Sequence, residues 1–113
     1  MAGTDENNEL ASFSTYGPSI YAAAPATNIL VLRPLADGGL QYVSGTSLSG
    51  PYWAGSIAFL MADCPEQQLN APQADTIIFD TATVTSPTGP LNLQYHIPNL
   101  SNALNYCEGL QQQ

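Results

Sequence analysis

The sequence predicts a small α/β fold, and three observations lead there. Two short apolar runs, Ser19-Ile20-Tyr21-Ala22-Ala23-Ala24 and Asn28-Ile29-Leu30-Val31-Leu32, are bounded by the turn formers Gly17-Pro18, Pro25 and Pro34, and both read as buried strands. From Ser47 to Ala62, Trp53, Ile57, Leu60 and Met61 recur at helical spacing, while Ala54, Gly55, Ser56 and Ala58 fill a second, close-packing face. The chain has 113 residues, 44% of them hydrophobic, which is room for one modest core.

The remaining elements follow in order. Residues 1–12 are polar, with Asp5-Glu6-Asn7-Asn8-Glu9 an exposed loop. Asp37-Gly38-Gly39 is a turn, and Leu40-Gln41-Tyr42-Val43 is a short strand. The helix from Ser47 carries almost no charge and is expected to be buried on most sides. Pro51 sits in its first turn, where a missing N–H costs little, and Asp63-Cys64-Pro65 stops it. Residues 73–85 fit two descriptions. Thr76-Ile77-Ile78-Phe79 and Thr83-Val84-Thr85 have strand propensity, yet the length and the set Ile77, Ile78 and Ala82 suit a helix. Ser86-Pro87-Thr88-Gly89-Pro90 is loop. A last amphipathic segment runs Leu100–Tyr106, and residues 108–113 read as a frayed tail.

Charge excludes whole classes of partner. Only 9% of residues are charged, against roughly 25% in an average domain. Arg33 is the one cation beside nine acids, for a net charge of −8 and a pI near 4.1. A single cation cannot neutralise a phosphate backbone, so nucleic acid is excluded as a main partner, and an anionic membrane surface is an equally poor one. No window approaches the length of a membrane span, and no N-terminal signal peptide is legible.

Cys64 and Cys107 allow one disulfide or two buried thiols. With no second Cys or His near either, metal-ligand spacing is absent, and no metal or cofactor is expected. The Lys-free surface, rich in Asn, Gln, Thr and Ser, points to an exported protein, in which the pair would oxidise. Asn99-Leu100-Ser101 is a glycosylation sequon that fits this setting.

The chemistry concentrates in Gly45-Thr46-Ser47-Leu48-Ser49-Gly50-Pro51-Tyr52-Trp53-Ala54-Gly55. A serine that ends a strand-turn and opens a buried helix exposes its hydroxyl near the positive end of the helix dipole. Unpaired first-turn N–H groups can there stabilise an oxyanion. The bland alternative is that Ser47 or Thr46 is simply an N-cap.

The pattern as a whole resembles the nucleophile signature of subtilisin-like serine peptidases, the subtilases: Gly-Thr-Ser, a proline four residues after the serine, and Ala-Gly at seven and eight after it. Upstream, Ala11-Ser12-Phe13-Ser14-Thr15-Tyr16-Gly17-Pro18 is similar to that family's Arg-x-x-Phe-Ser-x-x-Gly-Pro segment, and Ala24-Pro25-Ala26-Thr27-Asn28-Ile29 to its Ala-Pro-Gly-x-x-Ile segment. Thr81-Ala82 and residues 97–104 resemble its later helices. The resemblance implies a three-layer α/β fold with a mostly parallel sheet, of which residues 1–113 supply the C-terminal part. It implies a serine-type endopeptidase acting on peptide or protein substrates, with Ser47 as nucleophile and its own N–H as an oxyanion donor.

Several positions depart from the family pattern. Leu48 replaces the usual methionine, Tyr52-Trp53 the usual His-Val, Ser49-Gly50 the usual Ala-Ser/Thr, and Ala26 the customary glycine. None removes a reacting atom, although Trp53 implies a roomier neighbourhood around the helix. Subtilases order their triad Asp, His, Ser, and no histidine precedes Ser47. The base, its acid and the oxyanion asparagine are therefore expected from an upstream segment of a longer parent chain. A catalytically inactive subtilase-like module for binding or assembly is the alternative. The order Ser47, Asp80, His96 would suit an α/β-hydrolase, but that elbow needs glycine two residues after the serine, where Ser49 stands. His96 reads as an ordinary surface or loop histidine.

Overall fold

The computed structural model describes residues 1–111, in which small parallel strands lie between two apolar clusters. β1 (Ala2–Thr4) pairs in parallel with β2 (Ala23–Pro25), Ala2 opposite Ala23 and Thr4 opposite Pro25. An isolated parallel bridge from Ala22 to His96 sets β6 (His96–Ile97) along the other edge of β2, and β6 pairs antiparallel with β5 (Thr83–Val84). The residues of β1, together with Ala23 and Ala24, are fully buried, and their smallness lets covering layers approach from both sides. The expected strand over Ser19–Ala24 is thus shifted toward Pro25, with Ser19 and Tyr21 left exposed.

β3 (Ile29–Leu32) and β4 (Leu40–Val43) form an antiparallel hairpin. It is closed by a 3₁₀ turn at Leu35–Asp37 and by Gly38 and Gly39, whose φ values of 103° and 77° favour glycine. The expectation that β3 is buried is overturned: its residues alternate between half-buried and exposed, because its only extensive packing is against β4. A β-branched apolar run has the same composition in a free ribbon as in a covered strand.

The helix expected from Ser47 begins two residues later. A 3₁₀ turn, Thr46–Leu48, leads into α1 (Ser49–Asp63). Nor is α1 buried on most sides. Ser49, Trp53, Ser56 and Leu60 form one buried stripe, while Tyr52, Phe59 and Met61 are exposed beside Ala54, Gly55 and Ala58. In a chain so poor in charge, a missing charge does not mark a buried face.

The ambiguous stretch is helical: α2 spans Ala71–Asp80, and strand resumes only at Thr83. A capping box decides it. Asn70 Oδ1 accepts from the Gln73 N–H at 2.9 Å, and Gln73 Oε1 accepts from the Asn70 N–H at 2.9 Å, with proline in the first turn. Those bonds outweigh the modest strand preference of Ile77 and Ile78. α3 (Leu100–Gln111) opens on Asn99, whose Oδ1 accepts from the Asn102 N–H at 3.0 Å. It runs through residues 108–111, so these are helix rather than tail, and Gln112-Gln113 lies outside the described residues.

Trp53, Leu60, Ile77, Ile78 and Ala103 make the helical core. Cys64, closing α1, and Cys107, in α3, are joined there by a disulfide with Cα atoms 6.4 Å apart. Ala2, Ala23, Tyr95 and Ile97 form the second cluster, edged by Leu10, Ile20 and Leu93. Among the described residues, no helix is long and apolar enough to cross a membrane.

Two predictions follow from this packing. Replacing Cys64 and Cys107 by alanine should cost about 4 kcal/mol, the loop-closure entropy of a bridge of 43-residue separation, read as a fall in the denaturation midpoint. Among the described residues the buried Tyr95 hydroxyl has no hydrogen-bond partner, and desolvation raises its pKa above the usual value near 10. Because the folded state resists ionising it, stability should be unaffected below pH 10 and fall as pH rises through the folded pKa. Tyr95→Phe should therefore be neutral or stabilising at pH 7 and flatten that alkaline fall, measured by urea melts across pH.

Candidate functional site

Three separate stretches of chain meet at the turn that carries Ser47. Phe13-Ser14-Thr15 contributes a buried hydroxyl: Ser14 Oγ accepts from the Gly3 N–H at 2.8 Å and donates to Thr15 O at 2.8 Å. The Thr15 N–H in turn donates to Thr46 Oγ1 at 3.3 Å. Ala24-Pro25-Ala26 contributes backbone. Ala24 O accepts from the fully buried Ser49 hydroxyl at 2.9 Å, and Ala26 O accepts from the Gly45 N–H at 2.8 Å. Ala26 N–H reaches across to Thr4 O at 3.0 Å. The residues on either side of Ser47 are thereby fixed to β1 and β2.

This arrangement has no spare room at Gly3. A Cβ built there would stand 2.6 Å from Ala26 Cβ and 3.4 Å from Ser49 Oγ, so only glycine lets β1 pass under the turn. Below the turn, the hairpin is pinned at its base by the Asn28 N–H donating to Ser44 Oγ at 2.9 Å. Asn28 holds a left-handed φ of 54°, which asparagine tolerates better than most residues.

Ser47 itself is exposed in the middle of the 3₁₀ turn, two residues before α1 begins. Neither Ser47 nor Thr46 is an N-cap: no side chain caps the turn or the helix, and Thr46 Oγ1 is engaged by Thr15 instead. Among the described residues, neither the hydroxyl nor the N–H of Ser47 has a hydrogen-bond partner. A serine so placed has the chemistry of a nucleophile if a base removes its proton, and its N–H that of a donor to an oxyanion.

Trp53, the largest departure from the family pattern, turns its indole N–H to Asp75 Oδ1 at 2.6 Å and so fastens α1 to α2. His96 is a strand residue, not a loop or surface histidine. Its backbone N–H donates to Tyr21 O at 2.8 Å, and its ring stacks on Phe79 with centroids 4.1 Å apart. No hydrogen bond joins it to Ser47 or Asp80 among the described residues, so the order Ser47, Asp80, His96 is not assembled as a triad. Among those residues, no three His, Cys, Asp or Glu gather as a metal site would require.

Sequence reasoning missed Gly3 and the anchoring role of Ser49. Ser14 lies inside the Phe13–Pro18 segment that resembles the family, which is a usable signal. Gly3 carried none, since its constraint comes from a residue 23 positions away.

Known proteins resemble this chain in sequence and fold. The sequence model described as the Subtilase family matches residues 1–99. The chain is 47% identical over 62 residues to Subtilisin-like protease 5 of Trichophyton tonsurans, an alignment covering 55% of this chain and 15% of that protein. It is 36% identical over 97 residues to a probable subtilase-type serine protease of Deinococcus radiodurans, covering 72% of this chain and 13% of the other. The chain thus spans about 15% of the length of such relatives. Among solved structures, the Patellamide maturation protease PatA superposes with a TM-score of 0.73 over 96% of this chain and 42% of its own, at 22% identity. The likeness shows a shared α/β fold of the subtilisin-like kind.

The tight approach at Gly3 is open to test. Gly3→Ala should destabilise by about 1–3 kcal/mol, the usual cost of forcing a methyl into a filled space, whereas Gly55→Ala, open on α1, should be stabilising by up to about 1 kcal/mol. Paired urea melts of the two variants give the comparison.

Proposed function

This chain belongs to the subtilase family, and on that premise we propose that it supplies the nucleophile segment of a serine endopeptidase. The observation that carries the proposal is the exposed Ser47, with hydroxyl and N–H both unpartnered, at the meeting point of three segments that match the family's pattern. Ser47 Oγ attacks the scissile carbonyl of a peptide or protein substrate, and the Ser47 N–H takes part of the charge that develops on the carbonyl oxygen.

The base, the acid that orients it and the oxyanion asparagine come from an upstream segment of the parent chain. No resident metal or cofactor has a part in this scheme. Export of the parent fits the disulfide between Cys64 and Cys107, a bond at home in oxidising compartments. A second reading, an inactive subtilase-like module for binding or assembly, draws on one observation: His96, the chain's single histidine, is stacked on Phe79.

The two readings diverge under one substitution. Residues 1–113 alone should show no enzyme-like turnover, because a serine without a base is a poor nucleophile. In the full-length protein, Ser47→Ala should lower kcat by roughly 10⁶-fold, the loss subtilisin itself suffers without its nucleophile, and leave the melting temperature unchanged. Sulfonyl fluoride labelling of Ser47 only when the upstream segment is present would support the peptidase. A full-length protein as active with alanine at this position would end the nucleophile assignment, whereas a full-length wild type with neither turnover nor labelling would leave the binding module.

A further inference from the structure

One asparagine stands apart from the chemistry at Ser47. Of the asparagines in the chain, Asn99 alone has a serine or threonine two residues on, Ser101, with Leu100 rather than proline between them. It sits just ahead of α3, at the rim where β5 and α3 meet. Its amide is used at both ends: Oδ1 accepts from the Asn102 N–H at 3.0 Å, and Nδ2 donates to Thr83 Oγ1 at 3.1 Å. Nδ2 carries two hydrogens, and among the described residues the second has no partner. Asn99 is half-buried, while Thr83, Ser101 and Asn102 beside it are all exposed.

We propose that Asn99 is the acceptor of an N-linked glycan, and that the sugar replaces the unused amide hydrogen while both existing bonds persist. Such use of Asn99 rests on export of the parent, which brings the chain to a glycosylating compartment. The step conserves the amide. Nδ2 bonds to C1 of an oligosaccharide carried on a lipid diphosphate, and Nδ2 gives up one proton. The C1–O bond breaks, and the lipid diphosphate leaves with its electron pair. What remains is a secondary amide with the same carbonyl acceptor and one N–H. The carbonyl continues to cap α3, and the N–H continues to meet Thr83. Among the described residues the Ser101 hydroxyl makes no hydrogen bond, so the hydroxyl that the acceptor motif requires is not one the fold depends on.

Position in the fold separates this site from an upstream segment. The strands run β1, β2, β6, β5 in space, so β1, to which anything upstream of residue 1 is joined, stands at one end and Thr83 at the other. Growth of the sheet past β1 extends it away from Asn99. The oligosaccharide is transferred to the chain before it folds, so access for the transferase does not depend on the finished surface. The folded state decides only whether the sugar is tolerated, and the amide chemistry at Asn99 allows it.

Full-length protein, sent into the secretory pathway of a yeast host behind the host's own leader, should gain one core glycan. Mass spectrometry of the peptide bearing Asn99, from both cell-associated and secreted material, should show the added mass and its loss to endoglycosidase H. Because the leader supplies entry, the result bears on Asn99 alone and not on whether the parent's own sequence directs export. Ser101→Ala and Asn99→Asp should each abolish the modification. The first leaves Asn99 untouched and the second keeps an oxygen to cap α3, so neither loss reflects misfolding. In urea melts the glycosylated protein should share the midpoint of Ser101→Ala, with Asn99→Ala, which has no cap, below both. An unmodified Asn99 in both fractions, a glycan confined to aggregated material, or a glycosylated midpoint as low as that of Asn99→Ala would each overturn the proposal.

Discussion

The passage of β1 beneath the Ser47 turn is the constraint on which the rest depends. At Gly3 the backbone runs so close to Ala26 that there is no place for a Cβ, with Ser49 Oγ and Thr46 Cα just beyond. Because the strands meet at that distance, Ser14 can take the Gly3 N–H, Ala26 can bond both Thr4 and Gly45, and Ser49 can reach Ala24 O. Each bond is buried or partly so, and each leaves a backbone group satisfied that would otherwise be costly. A few neutral hydrogen bonds thus hold the site in a chain with one cation. Its geometry owes little to ion pairing, and salt should disturb it little.

The helices solve a different problem. α1, α2 and α3 each offer one apolar stripe, and the three stripes close over Leu60, Ile78 and Ala103. Trp53 joins that core while spending its N–H on Asp75, so a residue too large for the family's usual helix is absorbed by the neighbouring one. The Ser47 turn is therefore fixed from the sheet side by backbone bonds and from the helix side by packing.

Much of this was readable in the sequence where local chemistry decides the outcome. Asp37-Gly38-Gly39 requires a turn, and Asp63-Cys64-Pro65 ends a helix. The segments around Ser14, Pro25 and Ser47 could be aligned to a family without knowing how they touch. What escaped was set by neighbours. Burial of β3 and of the flanks of α1 depends on what lies alongside, which composition does not encode. The helix over Ala71–Asp80 was encoded in the Asn70 and Gln73 caps, a signal obscured by the strand-forming Ile77 and Ile78. Ser49 illustrates the same limit at the site. Its identity departs from the family pattern, but its anchoring of the turn exists only because Ala24 O is 2.9 Å away.

The bond between Cys64 and Cys107 also changes what a cut in the chain can do. The connection from Ser86 to Leu91 is largely exposed and carries no regular helix or strand, the sort of segment that proteases open first. A cleavage anywhere between the two cysteines leaves a covalent tether, so α3 cannot diffuse away from α1. The nicked molecule remains a single body whose pieces re-dock without a concentration-dependent encounter. That tether turns a backbone cut from loss of a helix into a local scar.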